Sequence, residues 1–267
     1  MTSAFATVFI RPGCTLSITH QKSDKRIDNA PNLCYNKQNT IVTPSQKNSE
    51  DTAMQAPIIA IYGDSISLDS YPGGGWPSRL AAAIAPRALY NHAIGASGLS
   101  TATPNNTITF LDQPQWQHPD AEIAIMWHGT NEWYWGAPLG TVGTTDEGTY
   151  AGAIASAADK LRRINPQVKL VFMTPIMRCQ LPNGITDVPL GEAWDTPNRI
   201  GATLKDYTDI LREQSQRLCF PLIDLRTLTG FSPINKHLYY RDIAHPSEAG
   251  FDRIADLIVR HLKMWYL

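Results

Sequence analysis

From residue 57 onward, short continuous apolar runs alternate with longer stretches of helical spacing. Residues 58–62 are a β-rich run that ends in Gly63-Asp64-Ser65. Residues 76–85 predict a helix, 89–94 a strand ending at Gly95, and 122–127 a third strand ending at Gly129. Residues 150–164 predict a helix stopped by Asn165-Pro166, and 168–173 a fourth strand followed by Thr174-Pro175. Residues 199–218 read as a long helix, 222–225 as a fifth strand and 247–262 as the last helix. Ser247 suits its N-cap, and Ile254, Leu257, Ile258 and Leu262 form its apolar stripe. Strands alternating with helices indicate an α/β fold with a parallel sheet covered on both faces. Continuously apolar strands fit burial on both sides. In such sheets, sites form at the carboxyl ends of the strands. The polar and glycine-rich segments Gly63-Asp64-Ser65, Gly95 and Gly129-Thr130-Asn131 fall at those ends.

Residues 1–56 are rich in Asn, Gln, Ser, Thr and Lys and lack hydrophobic periodicity, so an irregular or disordered extension is expected there. The catalytic domain is expected over 57–267, and Met54 is a candidate start of the functional unit. The apolar run 4–10 has no basic residue before it and is followed by Pro12-Gly13, so it does not read as a secretory signal. The expectation is a cytoplasmic protein, or one exported by another route. No apolar stretch approaches the roughly 18 residues of a membrane-spanning helix.

Charge narrows the function. The 267 residues carry 23 Lys+Arg against 24 Asp+Glu, a net charge of -1. That balance lacks the basic stripe that a nucleic-acid binder needs, so no nucleic-acid partner is expected. The four cysteines, Cys14, Cys34, Cys179 and Cys219, have no C-x-x-C spacing, which removes support for zinc or thioredoxin-type chemistry. Three disulfide connectivities exist on paper; four thiols are expected instead, with Cys219 packed in the core before the fifth strand.

Acyl transfer needs a nucleophile, a base, a group that holds the base, and donors for the oxyanion. Ser65 ends the first strand, where a turn can expose its hydroxyl. Asp242 lies three residues before His245 in a loop closed by Pro246. A carboxylate at that spacing can accept the imidazole Nδ1–H and leave the other ring nitrogen facing the serine. His128 is a rival base without an acidic orienter and is expected to pack at its strand end. His92, His118 and His237 are expected to be structural or surface residues. Each short motif alone is weak, since Gly, Asp and Ser are common turn residues.

The blocks Gly63-Asp64-Ser65, Asn91 to Gly98, Gly129-Thr130-Asn131-Glu132 and Asp242 to His245 follow one another in an order that resembles the SGNH (GDSL-type) hydrolase family. The resemblance covers about residues 57–263. It implies a three-layer α/β/α sandwich with a central, mostly parallel five-stranded sheet of the flavodoxin-like kind. It implies Ser65 as nucleophile, His245 as base and Asp242 as its orienter. Gly95 N–H, the Asn131 amide and the N–H of Ser65 would form the oxyanion hole. Glu132 stands where Asp is commoner and is expected to support its loop. No cofactor and no metal are implied.

The expected reaction is ester hydrolysis through an acyl-enzyme. Trp76, Trp116, Trp127, Trp133, Tyr134 and Trp135 crowd the blocks, and aromatic faces suit sugar rings, acyl chains or aryl groups. Trp127 is expected in the core. The loops 98–118, 136–149 and 178–198 are expected to rim a shallow cleft. The family's acetylesterases, lysophospholipases, thioesterases and arylesterases all remain open, with a short-acyl ester such as an acetylated carbohydrate as the expected substrate. A non-catalytic binding module is one rival. A nucleotide or flavin binder is another, but no phosphate loop follows a strand.

Overall fold

The structure is a computed structural model that describes residues 56–185 and 193–267. The expectations for the N-terminal extension, Met54, Cys14 and Cys34 lie outside the described residues.

Five strands form the sheet: β1 (Ile58–Gly63), β2 (Ala88–Asn91), β3 (Ile123–Trp127), β4 (Lys169–Met173) and β5 (Leu222–Ile223). Their order is β2-β1-β3-β4-β5, and every pairing is parallel. The helices are α1 (Trp76–Ile84), α2 (Thr107–Phe110), α3 (Thr130–Trp135), α4 (Tyr150–Ile164), α5 (Leu204–Leu218), α6 (Leu225–Leu228), α7 (Lys236–Tyr239) and α8 (Glu248–Trp265). This is the expected three-layer α/β/α fold.

Successive strand residues point to opposite faces. Ile59, Ile61, Ile123, Ile125, Val171 and Met173 join one core with Trp76 and Leu80 of α1 and Phe251, Ile254 and Ile258 of α8. Ala60, Tyr62, Ala124, Met126, Leu170 and Phe172 join the other with Ile154 and Leu161 of α4 and Tyr207 and Leu211 of α5. Both faces are therefore covered, which explains the unbroken apolar runs. The strand order reverses where β1 lies between β2 and β3, and the crevice outside the carboxyl ends of β1 and β3 is the usual ligand position in such sheets.

Several boundaries differ from expectation for local reasons. The long helix begins at Leu204 because Thr203 and Asp206 form a capping box: Asp206 N–H donates to Thr203 Oγ1 at 3.2 Å, and Thr203 N–H to Asp206 Oδ2 at 2.7 Å. The fifth strand ends at Ile223 because Asp224 caps α6. The second strand ends at Asn91, but His92 N–H and Ile94 N–H continue along β1, donating to the carbonyls of Ile61 and Gly63. Ser247 caps α8 through the Gly250 N–H, as expected. Cys219 is a correction: it is the left-handed C-cap of α5, with φ 53°, and it is exposed rather than packed in the core. Cys179 and Cys219 are both free thiols.

The aromatic expectation is also corrected. Trp76, Trp116 and Trp133 are buried along with Trp127. Their indoles serve the interior: Trp127 Nε1 donates to the Thr174 carbonyl and Trp133 Nε1 to the Thr196 carbonyl, each at 3.0 Å. Only Tyr134 and Trp135 of that set are half-buried.

Candidate active site

The nucleophile candidate is placed by the way β1 ends. Asp64 Oδ1 accepts the Ile66 N–H at 2.9 Å and caps a single 3-10 turn, Ser65–Ser67. Gly63 lets that turn fold back, since a Cβ there would lie 2.5 Å from Ser67 Oγ. Tyr71 donates its hydroxyl to the Ser65 carbonyl at 2.6 Å.

The Asp242–His245 loop meets this turn from far along the chain. An isolated bridge between Tyr240 and Pro246 closes it. Asp242 Oδ1 accepts the Ala244 and His245 N–H groups, both at 2.7 Å. Asp242 Oδ2 lies 2.9 Å from His245 Nδ1, and His245 Nε2 lies 3.0 Å from Ser65 Oγ. One carboxylate thus holds both the backbone of the loop and the imidazole. The Ile243 carbonyl accepts from Cys179 N–H at 2.8 Å and Gln180 N–H at 3.0 Å, which ties the loop to the segment after β4.

The third component follows β3. Gly129 adopts φ 121°, which a side chain would strain, and a Cβ there would lie 2.6 Å from the Tyr150 hydroxyl. Asn131, buried in the first turn of α3, donates Nδ2 to the Ser97 carbonyl at 2.8 Å and faces Asp64 Oδ2 at 3.4 Å. Gly95 is exposed beside this site; the left-handed residue of its loop is Ala96, φ 60°, and not the glycine. Among the described residues, neither Ser65 N–H nor Gly95 N–H donates to another group. Glu132 holds the loops together: it accepts from Leu99 N–H, from Ser100 N–H at 3.2 Å and from Gly129 N–H at 2.8 Å. A cavity of about 270 Å³ adjoins the site, lined by Tyr71, Pro72, Arg241, Pro246 and Phe251 among others.

A family model, GDSL-like Lipase/Acylhydrolase family, matches residues 61–253. The chain belongs to that family. Three solved structures share the fold of this GDSL-like acylhydrolase. A Lactobacillus plantarum protein is 22% identical with a TM-score of 0.68, covering 80% of this chain and 99% of its own. A possible lipase from Chitinophaga pinensis is 19% identical with a TM-score of 0.60, covering 78% and 98%. The lipase/acylhydrolase from Enterococcus faecalis is 19% identical with a TM-score of 0.52, covering 78% and 96%. No curated protein matches the chain.

The electrostatics of this family member divide by burial. Burial pushes Asp64 up to about 7, against the Ile66 N–H and the Arg178 charge, which pull it down. Burial likewise raises Glu132, against the three backbone N–H groups it accepts. His128, the rival base, is buried and pushed down to about 3; its Nε2 pairs with Thr107 Oγ1 at 2.9 Å, so it packs at the strand end as expected. His92 and His118 pair with each other at 2.6 Å inside an aromatic stack with Trp116 and Tyr90. For Asp242, burial acts upward, but the Ala244 and His245 N–H groups and the His245 ring hold it below the usual carboxylate value. Two side chains at the site escaped the sequence reading. Tyr71 sits in a turn without any motif. Arg178 had only its place just past a strand end as a signal.

Proposed function

We propose that the chain is a serine esterase that works through an acyl-enzyme, with residues 57–267 as its catalytic domain. The observation that carries this reading is the chain of contacts from Ser65 Oγ to His245 Nε2 at 3.0 Å and from His245 Nδ1 to Asp242 at 2.9 Å. Ser65 Oγ attacks the ester carbonyl while His245 Nε2 takes its proton. The oxyanion is received by the N–H groups of Ser65 and Gly95 and by Asn131 Nδ2. His245 then gives the proton to the departing alcohol, and water hydrolyses the acyl-serine by the same route. Asp242 keeps Nδ1 protonated and stabilises the imidazolium.

Short-acyl esters, acetyl esters first, are the proposed substrates. The small adjoining cavity, lined by Tyr71, Pro246 and Phe251, offers room for a short apolar acyl group beside Ser65. An acetylated carbohydrate is supported more narrowly, by the half-buried Tyr134 and Trp135 alone. The test compares wild type and Ser65→Ala on p-nitrophenyl acetate, butyrate and a long-chain ester. Turnover of the short esters by wild type, lost by several powers of ten in the variant, is expected. Labelling of wild type, but not of the variant, by a fluorophosphonate is expected alongside. Equal rates in the two proteins would remove Ser65, and preference for the long chain would remove the short-acyl reading.

A further inference from the structure

Arg178 stands just past β4, is 7% exposed, and has no task in the acyl-transfer steps. Nη1 donates to the Thr130 hydroxyl at 3.0 Å and to the Thr130 carbonyl and Asn131 Oδ1, both at 3.3 Å; Nη2 donates to Gln180 Oε1. None of these partners is a carboxylate. The ring centres of Tyr134 and Trp133 lie 4.7 and 5.8 Å from the guanidinium carbon. Nε is buried and has no acceptor among the described residues.

Asp64 and Asp242 attract the guanidinium through space, but among the described residues no carboxylate hydrogen-bonds it and Nε is unmatched. Burial outweighs that attraction, so its placement detracts from stability. Fold stability therefore does not account for it. What the guanidinium grips is the start of α3, at Thr130 and at the oxygen of the Asn131 side chain. A carboxamide has two orientations of nearly equal shape, distinguished only by their hydrogen bonds. With Oδ1 on the cation, one Nδ2 hydrogen is taken by the Ser97 carbonyl at 2.8 Å, while the other meets Asp64 Oδ2 only at 3.4 Å at the end of β1, so that second N–H is the one open to a carbonyl at Ser65.

We propose that Arg178 is a positioning residue that fixes the Asn131 carboxamide with its N–H side toward an ester carbonyl bound at Ser65. This rests on the serine-esterase reading. The Ser97 carbonyl favours the same orientation; Arg178 adds the contact that carries charge. A charge behind the amide oxygen also polarises the N–H and strengthens its donation to an oxyanion.

The test is a double-variant cycle on p-nitrophenyl acetate with Arg178→Gln, Asn131→Ala and both together. Arg178→Gln is expected to lower kcat about tenfold, within the range of coupled neighbours, with KM changed less than about twofold. In the Asn131→Ala protein the same substitution is expected to cost less than about twofold, because the group it acts through is gone. Arg178→Lys keeps the charge but not the fork, so it falls between; it carries the same cycle if the glutamine variant does not accumulate. Equal costs in both backgrounds, or an unchanged kcat in Arg178→Gln, would overturn the positioning role. Fluorophosphonate labelling of Ser65 separates the two ideas. A labelled Ser65 with additive variants sinks the positioning role alone. An unlabelled Ser65 with activity independent of it sinks the esterase reading and this proposal with it.

Discussion

Ser65 lies between two regions that differ in how they are held. On one side, Asp64, Asn131, Glu132 and Arg178 are 2, 6, 0 and 7% exposed and bind one another's loops through buried hydrogen bonds. On the other, the Asp242 and His245 side chains are 46 and 30% exposed, and their loop is fixed by short-range bonds to the Asp242 carboxylate. Burial makes the first region rigid and displaces its ionisations. Exposure leaves the second near solvent, where a base can exchange protons and products can leave. Groups in the first region should therefore trade function against folding, whereas groups in the second should affect function far more than folding.

Asp242→Asn is the largest expected effect. The amide presents an N–H to His245 Nδ1 and selects the wrong tautomer, for which a loss of about 10⁴ in kcat is the known scale. The asparagine oxygen can still accept the Ala244 and His245 N–H groups, so the variant should lose no more than about 1 kcal/mol, the charge-assisted part of those bonds, in thermal unfolding. A large drop in stability would erase the distinction between the regions. Asn131→Ala should lower kcat by about 10²–10³, the usual cost of one oxyanion donor. It should also destabilise by about 1–3 kcal/mol, since the Ser97 carbonyl and an Arg178 N–H lose a buried partner. Kinetics and denaturant melts on the same preparation check both halves.

Titration distinguishes the buried region in another way. Asp64 keeps its proton up to about pH 7 when folded but releases it near pH 3.8 when unfolded, so its contribution falls as pH rises from about 4 to 7. His128 does the opposite: it stays neutral when folded to about pH 3 but is protonated below about 6.5 when unfolded, so stability falls as pH drops through that window. The two slopes oppose each other between about pH 4 and 6.5. Asp64→Asn removes the first. The variant's stability relative to wild type should then rise with pH by up to a few kcal/mol between pH 4 and 7. The amide also places an N–H toward Asn131 Nδ2, but that offset does not depend on pH, so the slope is the readout. A constant difference across the range would mean that Asp64 is ionised in the folded protein.

The exposed region was the more legible of the two in the sequence. Asp242 and His245 are three residues apart, and a local spacing survives as a local contact. The sheet was legible as well, because strands buried on both faces leave unbroken apolar runs. Residues that act across long separations were not. Arg178 meets Asn131 only because β3 and β4 are neighbours, and a single arginine after a strand carries no pattern. The tryptophans near the third block misled for a related reason. Composition reports that they cluster, but Trp133 is buried because α4 and α5 cover its face of the sheet and the Thr196 carbonyl takes its indole N–H, which no local pattern reports. The short helix α3 went unseen because Gly129-Thr130-Asn131 reads as a turn, and only the bonds from Leu99, Ser100 and Gly129 to Glu132 reveal what the turn anchors.

Ser247→Ala gives the smallest expected effect and the finest division between holding a loop and doing chemistry. Ser247 follows His245 and Pro246, accepts the Gly250 N–H at 3.2 Å, and donates its hydroxyl to the Leu238 carbonyl at 2.9 Å. It therefore fixes the start of α8 and, through it, the exit of the Asp242–His245 loop. Loss of such a cap costs about 1 kcal/mol of stability. The loop itself remains closed by the Tyr240–Pro246 bridge and by the Asp242 carboxylate, neither of which involves this hydroxyl. The expected outcome is a lower unfolding midpoint with kcat within about twofold of wild type. A larger loss of kcat would mean that the loop is held from α8 rather than by its own carboxylate.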